Sequence, residues 1–420
     1  MMSITLPRVN LNSVLTSEGL ARLKTAGVYL PALRRGIEKE ALRSTLDGGL
    51  SQTIHPRTLG SPLTNLNITT DFSESQVELI TRVHPSITNC LQELMEIQTF
   101  VSDNLEKELL WPFSMPCHIR KGASIPIAQY GSTNLAKAKT IYRRGLSNRY
   151  GSEMQTISGI HYNFSLPEAC WEELGYGDQA SRSQGYFDLI RNFRRWSWLL
   201  VYLFGASPTI PKQLVPTSEL ANLSFLDDES LYISHATSLR MGPMGYQSTA
   251  QNNLNISYNS LEDYLEGMTI ALSQIHYKYQ QIGLKQKSIY QQLNTAVLQI
   301  ENEFYGYIRP KPSLLAGERP VSALKNDGVE YIEIRCLDLD PYLPLGIDST
   351  QIQFIDTFLM MCLLSESPPD SAQENLLINE NNASVVNWGR KPDLSLKNPA
   401  PIKMKTWAND LIMKLSLIHI

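Results

Sequence analysis

The sequence predicts an α+β protein built on a mostly antiparallel sheet with packed helices. Helix-like and strand-like segments occur along the whole chain, and they do not alternate in the regular order of a doubly wound parallel sheet. A chain of 420 residues with 42% hydrophobic residues can bury a large core, and no internal repeat or linker marks a second folding unit. We therefore predict one large domain over residues 31–400, preceded by a segment of low signal over residues 1–30.

The individual elements follow from the spacing of apolar residues. Four segments place them three and four positions apart, on one face of a helix. These segments are 91–110, 186–204, 260–279 and 351–365. Six others have the short pattern of strands, in which side chains alternate between two faces. They are 36–42, 75–83, 159–166, 252–258, 294–307 and 328–337.

The composition excludes several classes of function. A net charge of -4 gives no bulk attraction to nucleic acid or to anionic lipid. The five cysteines are widely spread and form no C-x-x-C pair, so neither a zinc knuckle nor a redox dithiol is indicated. The N-terminus lacks the basic segment and long apolar run of a secretory signal. We predict a cytoplasmic protein with reduced thiols.

The last predicted strand separates charged and apolar side chains. Glu333 and Arg335 share one face, whereas Ile332, Ile334 and Cys336 share the other. Buried charges are costly unless they are paired or bound to a metal, so a central strand of this kind indicates a polar site. An edge strand whose charged face meets water is the alternative.

A second strand, near the N-terminus, carries two carboxylates on one face. Glu38 and Glu40 lie two residues apart, and they repel each other unless a cation or a proton lies between them. Carboxylate oxygens are the ligands that Mg²⁺ prefers, usually together with substrate phosphates and water. A solvated edge strand remains possible for this pair taken alone.

Other predicted strands repeat the pattern. Glu78 stands inside an otherwise apolar run, and His161 shares a strand face with polar neighbours. The segment 294–307 adds Glu301, Glu303 and Tyr305 on one face. Each residue alone is explained by a surface position or by packing. Their recurrence across four strands favours one cavity lined by carboxylates and an imidazole, as metal-assisted phosphoryl transfer needs.

The common phosphate-binding motifs are absent from the sequence. It contains no G-x-x-x-x-G-K-[ST] loop, no G-x-G-x-x-G turn and no H-E-x-x-H zinc helix. G-x-S-x-G, the motif of α/β-hydrolases, is also missing. An enzyme of this sequence that uses ATP must therefore hold it through metal ions and side chains.

Ten short motifs, in order along the chain, resemble the proteobacterial type of glutamate-cysteine ligase. They are ITTDF at 68–72, WPFSMPC at 111–117, AQYG at 128–131, NRYG at 148–151, MQTISGIHYNFSLP at 154–167, YLFGASP at 202–208, LQIENE at 298–303, IRPK at 308–311, YIEIR at 331–335 and GRKP at 389–392. The resemblance extends from about residue 36 to about residue 396, and an ordered match of this length is far more specific than any single motif.

The resemblance implies a catalytic fold related to glutamine synthetase, with a curved antiparallel sheet, and the first step of glutathione synthesis. In that reaction ATP phosphorylates the γ-carboxylate of glutamate. The α-amino group of cysteine then displaces phosphate from the acyl phosphate. The implied cofactor is Mg²⁺, with Mn²⁺ as an alternative, and ATP is a co-substrate. Glutamate, cysteine and ATP are the implied partners, and we predict a monomer that binds neither nucleic acid nor membrane.

The resemblance also assigns roles to individual residues. The family's metal-binding positions correspond to Glu38, Glu40, Glu78, His161 and Glu333. Arg335 and Arg143 correspond to catalytic arginines that face the phosphates and the γ-carboxyl group. Structural ion pairs are the alternative explanation for these arginines.

Five further positions correspond to substrate-binding residues of the family. Arg240 matches a residue near the substrate amino acids, while Tyr142, Gln155, Tyr246 and Tyr305 match the pocket for the acceptor cysteine. Ordinary packing is the alternative explanation for the tyrosines.

The C-terminal segment departs from the resembling family, whose members continue with further helices. Residues 415–420 are unusually apolar for a free terminus. We interpret 401–420 as a truncated or non-native tail. Two alternatives to the cysteine ligase stay open, of which only the second depends on this tail. One is a ligase for a different small amine, and the other is a non-catalytic relative that binds nucleotide or glutamate.

Overall fold

An antiparallel sheet of seven strands forms the centre of the computed structural model, which describes residues 13–418 apart from 121–122, 216, 246–249, 252–253, 255 and 316. The strands are β1 (Arg34–Thr45), β2 (Ile68–Thr70), β3 (Gln76–Ile80), β4 (Glu108–Leu110), β5 (Ile160–Ser165), β6 (Thr209–Pro211), β7 (Ser224–Phe225), β8 (Ser230–Tyr232), β9 (Lys285–Gln286), β10 (Ile289–Tyr290), β11 (Ile308–Lys311), β12 (Tyr331–Leu337), β13 (Ser395–Asn398) and β14 (Ala400–Lys403).

The order of strands in the central sheet is β11-β12-β5-β1-β3-β2, and β4 pairs with the far end of β1. Every pair in this sheet is antiparallel. The helices are α1 (Ser17–Ala26), α2 (Ile87–Asp103), α3 (Asn134–Tyr150), α4 (Glu168–Glu173), α5 (Gln179–Phe204), α6 (Leu261–Ser273), α7 (Tyr277–Ile282), α8 (Pro320–Asp327), α9 (Ser349–Leu364), α10 (Ala372–Trp388) and α11 (Met404–Leu415). The predicted α+β class with an antiparallel sheet is confirmed.

One face of the sheet is apolar and carries the main core. Ile37, Tyr162, Phe164, Ile332 and Ile334 are buried there, because alternate residues of β1, β5 and β12 point to this side. Helix α2 contacts β1 and β3, α5 contacts β11 and β12, and α9 packs against both helices. Burial of these apolar side chains stabilises the fold, and it leaves the opposite face of the strands to polar residues.

Charged residues also occur on the apolar face, where Arg35 of β1 pairs with Asp356 of α9 at 2.9 Å. Lys39 is 5% exposed between the core residues of β1. Its ammonium donates to Oε1 of Gln98 at 2.6 Å and to the carbonyl of Pro344 at 3.4 Å. Burial lowers the pKa of Lys39 to about 8. The lysine therefore ties β1 to α2 through neutral oxygen acceptors.

Side-chain caps fix the start of the longer helices. Ser86, Thr133, Asp348 and Ser371 each accept a hydrogen bond from the backbone N–H three residues later, at the first turns of α2, α3, α9 and α10. Asp178 does the same for α5 and forms a reciprocal capping box with Ser181.

The ends of two predicted helices were wrong. The helix predicted over 91–110 spans Ile87–Asp103, because residues 108–110 pair with β1 as a strand instead. The helix predicted over 260–279 is divided into α6 and α7, and the residues between them form a bridge that pairs Ile275 with Ala296.

The strand predicted over 294–307 was also wrong. Its regular element is a short 3-10 helix, Glu301–Glu303. The Glu303 carboxylate accepts the backbone N–H of Gln299 at 2.6 Å, and this local hydrogen bond closes a turn rather than an extended strand. Of the segment predicted as a strand over 252–258, residues 254 and 256–258 are described and are not in a strand.

The predicted tail begins in β14 and continues as α11, which packs into the main core. Trp407 is 2% exposed, and its ring centroid lies 4.9 Å from that of Trp198 on α5. Leu411 is fully buried in the same apolar cluster. The interpretation of 401–420 as truncated or non-native stays a prediction, as does the division of the chain at residues 31 and 400. No helix in the described ranges is both long and apolar enough to cross a membrane.

Candidate active site

The polar face of the central sheet and helix α3 enclose a cavity of about 350 Å³. Its charged lining residues are Glu38, Glu40, Asp71, Glu78, Lys139, Arg143, His161, Arg309, Lys311, Glu333 and Arg335. Among the uncharged ones are Phe72, Tyr142, Leu146, Gln155, Leu293, Ile300, Asn302 and Tyr305. The five predicted metal ligands and both predicted catalytic arginines thus line one cavity.

The strand register explains why these side chains meet. Glu38 on β1 is paired with His161 on β5, and Glu40 is paired with Glu78 on β3. Directly paired residues of antiparallel strands project to the same face, about 5 Å apart. Since alternate residues share a face, the three acidic residues and the imidazole come together without any loop rearrangement.

His161 occupies the centre of the acidic group. Its Nδ1 lies 3.4 Å from Oε2 of Glu38 and 3.9 Å from Oε1 of Glu333, and its Nε2 lies 3.5 Å from Oε1 of Glu40. The residue as a whole is 4% exposed. One imidazole therefore approaches carboxylates that belong to two different strands, β1 and β12.

The carboxylates of β1 are oriented by uncharged donors. Asn163 donates its side-chain N–H to Oε1 of Glu38 at 2.8 Å, and the backbone N–H of Gly159 donates to Oε2 of Glu40 at 2.8 Å. Burial and the negative charge of Glu333 act to raise the pKa of Glu38. The hydrogen bond and charge of His161 outweigh them and leave that pKa below its usual value.

Glu40 and Glu78 resist ionisation. Burial, followed by the negative charge of Asp71, raises the pKa of Glu40. Burial and the charges of Glu38, Asp71 and Glu40 raise the pKa of Glu78 well above its usual value. The carboxylates are held close enough together that the second and third negative charges are unfavourable without a counter-cation.

Glu333 has the opposite character because cations surround it. Its Oε2 lies 3.2 Å from Nη1 of Arg335 and 3.9 Å from Nη1 of Arg309, and its Oε1 lies 3.5 Å from Nζ of Lys311. Although burial opposes ionisation, Lys311, Arg335, His161 and Arg309 hold the pKa of Glu333 well below its usual value. Glu333 is therefore a carboxylate at neutral pH.

The group fits a hard divalent cation. One ligand atom each from Glu38, Glu78 and His161 can be chosen so that all three lie within 4.8 Å of one another. Oε2 of Glu333 is buried and accepts no hydrogen bond from the described residues. Carboxylate oxygens suit Mg²⁺ or Mn²⁺, and a cation between them removes the repulsion that raises the pKa of Glu78.

Arg143 and Arg335 enter the cavity from different elements. Arg335 projects from β12 beside Glu333. Arg143 projects from α3 and donates to the backbone carbonyls of Thr70, Asp71 and Lys139. Backbone acceptors fix the orientation of its guanidinium without neutralising its charge. Both arginines are placed to contact an anionic substrate, and their catalytic role stays a prediction.

Three of the predicted substrate-binding residues line the cavity together. Gln155 donates its side-chain N–H to the hydroxyl oxygen of Tyr305 at 3.2 Å, and Tyr142 projects from α3. Tyr246 lies outside the described residues. These assignments stay predictions.

Arg240 does not line the cavity. It is 2% exposed, and its Nη2 donates to the backbone carbonyl of Arg335 at 2.9 Å. Its Nη1 lies 3.8 Å from Oδ1 of Asp338. The guanidinium packs so closely on Gly159 that a Cβ at that glycine would overlap it. Arg240 thus supports the strand that carries Arg335, and its predicted contact with substrate is not visible in this arrangement.

The predicted carboxylates Glu301 and Glu303 are also outside the lining. Glu303 is fully buried and paired with Arg149 at 3.1 Å, and it accepts a hydrogen bond from the hydroxyl of Tyr150 at 2.7 Å. Glu301 lies 3.0 Å from Arg319. The predicted strand face fails because the segment is a 3-10 helix. Glu303 instead holds the turn that precedes Tyr305.

Sequence reasoning missed four charged residues of the cavity. Lys311 and Arg309 could have been found, because the IRPK segment places them two residues apart, as on one strand face. Lys139 and Asp71 come from a polar helix and from the end of a short strand, where no periodic pattern points to a site.

The family profile described as glutamate-cysteine ligase matches residues 20–385. The chain belongs to the glutamate-cysteine ligase family. A glutamate-cysteine ligase of Pseudomonas putida (strain W619) is 48% identical over 404 residues, which cover 94% of this chain and 77% of that protein. One from Saccharophagus degradans is 48% identical over 381 residues, covering 89% of this chain and 72% of that protein. The predicted family is confirmed.

Solved structures of glutamate-cysteine ligases and related enzymes agree. The structure of the Francisella tularensis glutamate-cysteine ligase in complex with AMP has a TM-score of 0.88 and 40% identity, covering 92% of this chain and 78% of that chain. A bifunctional glutathione synthetase from Pasteurella multocida has a TM-score of 0.74 and 26% identity, covering 95% of this chain and 47% of that chain. The fold expected for a glutamate-cysteine ligase is confirmed.

Proposed function

We propose that this chain is an ATP-dependent ligase that joins the γ-carboxylate of L-glutamate to the α-amino group of L-cysteine, in the first step of glutathione synthesis. The observation that supports it most is the convergence of carboxylates from three strands with His161 in one cavity. Membership in the glutamate-cysteine ligase family supplies the identity of the substrates, and the AMP bound by the Francisella relative supports an adenine nucleotide.

The reaction proceeds through an acyl phosphate because a free carboxylate is a poor acylating agent. A γ-carboxylate oxygen of glutamate attacks the γ-phosphorus of ATP, and the bond to the ADP oxygen breaks. The products of this step are γ-glutamyl phosphate and ADP. The α-amino group of cysteine then attacks the γ-carbonyl carbon, inorganic phosphate leaves, and the amine loses a proton as the amide forms.

Positive side chains stabilise the charge that moves during both transfers. Arg335, Arg309 and Lys311 project from neighbouring strands around the ionised Glu333. Arg143, on α3, is held by the backbone carbonyls of Lys139 on the same helix and of Thr70 on β2. Guanidinium groups fixed before the reaction lower its barrier because they need no reorientation when charge develops.

We propose that a divalent cation binds to the acidic group of the cavity. Its protein ligands are drawn from Glu38, Glu40, Glu78, His161 and Glu333. When bound, Mg²⁺ or Mn²⁺ neutralises phosphate oxygens and polarises the phosphorus for attack. The hydrogen bonds from Asn163 and Gly159 orient the carboxylates of β1, which keeps their lone pairs directed into the cavity.

The substitution Glu333→Gln tests the metal assignment. It removes one negative charge with little change of shape. We expect ATP turnover by the purified chain, with glutamate, Mg²⁺ and cysteine supplied, to fall by at least about a hundredfold. Glu330→Gln is the control, because Glu330 is an exposed acid three residues away on the same segment. If the rate of ATP turnover is unchanged by Glu333→Gln, Glu333 is neither a metal ligand nor needed for catalysis.

The nature of the acceptor requires a separate experiment. Turnover is measured with cysteine, 2-aminobutyrate, serine and simple amines as acceptors. Preference for cysteine supports the proposal, whereas preference for another amine supports the alternative of a ligase for a different small amine. Binding of glutamate or nucleotide without turnover would support a non-catalytic relative. The ionised Glu333 and two arginines of the cavity, Arg143 and Arg335, argue against that alternative.

We also propose a cytoplasmic, monomeric protein. The five cysteines are free and buried, which agrees with a reducing compartment. Light scattering of the purified chain measures the oligomeric state.

A further inference from the structure

Helix α3 carries a second cavity cation besides Arg143. Lys139 lies one turn before Arg143 on the same face of the helix, and both line the cavity. The ring of Tyr130 lies against both side chains. Cζ of Arg143 is 4.6 Å from the ring centroid, and Nζ of Lys139 is 5.0 Å from it. An aromatic face attracts cations at this distance, so Tyr130 limits where both groups can move.

Tyr130 is itself rigidly held. It is 6% exposed, and its hydroxyl donates to the backbone carbonyl of Thr70 at 2.9 Å while accepting from Oγ1 of Thr70 at 2.9 Å. The ring is thus attached to β2, at the edge of the central sheet. Two cations of α3 are thereby positioned over that edge.

The two cations differ in what they already bind. The guanidinium of Arg143 donates to three backbone carbonyls. The ammonium of Lys139 has neither a hydrogen-bond acceptor nor an ion pair in the ranges of the chain that the structure describes. Burial and the neighbouring charge of Arg143 lower the pKa of Lys139. A half-buried ammonium without an acceptor is expensive, and a substrate anion provides one.

The same edge of the cavity offers a negative charge. Asp71 follows β2, and within the described ranges its carboxylate forms no hydrogen bond or ion pair. Lys139 and Asp71 together present both signs of charge, which suits the head group of an α-amino acid. The opposite edge, formed by β11 and β12, presents Arg309, Lys311 and Arg335, which suit phosphates.

We propose that Lys139 binds the α-carboxylate of glutamate, that Asp71 accepts the α-ammonium, and that Tyr130 positions Lys139 for this contact. The inference deepens the proposed function and rests on it. Glutamate fits better than cysteine because the α-amino group of cysteine is the nucleophile, and it must lose its proton rather than remain an ammonium bound to a carboxylate.

Kinetics of the full chain with Lys139→Met test the assignment. Methionine retains most of the stem and removes the charge. We expect the KM for glutamate to rise about tenfold to a hundredfold, as for loss of a hydrogen bond to a charged group, with less than about twofold change in the KM for ATP or cysteine. Lys139→Arg restores part of the affinity. Lys137→Met is the matched control, because Lys137 is exposed on the same helix.

A second substrate identifies the group that Lys139 contacts. The compound 4-aminobutyrate is glutamate without its α-carboxylate. Lys139→Met is expected to leave its turnover within about twofold of the wild-type value, since the contact is already absent. An equal loss with both substrates shows a structural role and overturns the inference. A rise in the KM for ATP or cysteine instead of glutamate also overturns it.

Equilibrium binding separates this inference from the proposed function. Glutamate is titrated into the chain with Mg²⁺ and a non-hydrolysable ATP analogue. If the wild type binds glutamate without any turnover, and Lys139→Met weakens that binding about tenfold or more, the ligase proposal fails while the Lys139 contact stands. Glutamate binding that Lys139→Met leaves unchanged refutes the contact, whatever the turnover.

Discussion

At the scale of single residues, the pKa values of Glu78 and Glu333 are shifted in opposite directions within one cavity. Glu333 is surrounded by Arg335, Arg309 and Lys311 and is ionised, while Glu78 has acidic neighbours and its pKa is raised well above the usual value. Burial acts to raise the pKa of both groups, so the opposite directions of their shifts come from the charges of their neighbours.

The raised pKa of Glu78 predicts a pH-dependent loss of stability without metal. A group whose pKa is raised by folding stabilises the native state below its unfolded pKa, near 4.5, and that contribution is lost as the pH rises through the folded value. In EDTA, Glu78→Gln should therefore gain free energy of unfolding over the wild type as the pH increases from about 4.5.

Urea unfolding at several pH values measures this difference. Glu330→Gln, at an exposed glutamate, is the control and should show a difference that does not depend on pH. The prediction fails if the difference between Glu78→Gln and wild type is constant across the range. Glu333→Gln should behave in the reverse sense, because the pKa of Glu333 is lowered and its contribution is lost as the pH falls.

At the scale of elements, the entry to β5 depends on a residue without a side chain. Gly159 precedes the strand, donates its N–H to the Glu40 carboxylate at 2.8 Å and accepts the N–H of Glu40 at 3.0 Å. The guanidinium of Arg240 fills the space where a Cβ would stand. The glycine therefore lets a buried arginine support β12 while the backbone orients a cavity carboxylate.

Gly159→Ala is expected to destabilise the fold by about 1–3 kcal/mol, because the added methyl group must displace Arg240 or the strand. Gly177→Ala is the control, since a Cβ there meets no atom within 4 Å and should change stability by less than about 0.5 kcal/mol. Chemical denaturation measures both. An equal effect of the two substitutions on the free energy of unfolding would show that the Arg240 side chain moves aside without destabilising the fold.

The strands carried most of the information that sequence could supply about the site. Period-2 alternation placed Glu38, Glu40, His161 and Glu333 on polar faces, and register then brought them together. Helix α3 was missed because only four of its residues, Ala136, Thr140, Gly145 and Leu146, are buried. One side of α3 lines a polar cavity and another meets solvent. Apolar residues therefore do not recur at helical spacing, and the sequence pattern indicates neither the helix nor the position of Lys139 on it.

At the scale of the whole molecule, the cavity lies where one face of the sheet is not covered by the core. Helices α2, α5 and α9 enclose the other face. The order of helical and strand patterns predicted this α+β class. The pairs of neighbouring strands and the alignment of their residues could not be predicted, because pairing over long sequence separations depends on the packing of all layers at once.

Binding of a divalent cation should stabilise the entire fold. A cation that binds the acidic group only in the native state contributes about 2.7 kcal/mol at a hundred times its dissociation constant. We expect Mg²⁺ to raise the Tm of the wild type and EDTA to reverse the shift. Glu38→Gln should reduce the shift, whereas Glu330→Gln should retain it. A wild-type Tm that does not respond to Mg²⁺ or Mn²⁺ contradicts the metal assignment.

The buried Lys39 makes the layer between sheet and helix chemically observable. With a pKa of about 8, a substantial share of this amine is unprotonated and nucleophilic in mildly alkaline solution. Amine-reactive reagents reach it only when β1 and α2 separate, because it is enclosed among Gln98, Pro344 and the core. The rate at which an acylating probe labels Lys39 therefore measures how often β1 and α2 separate transiently.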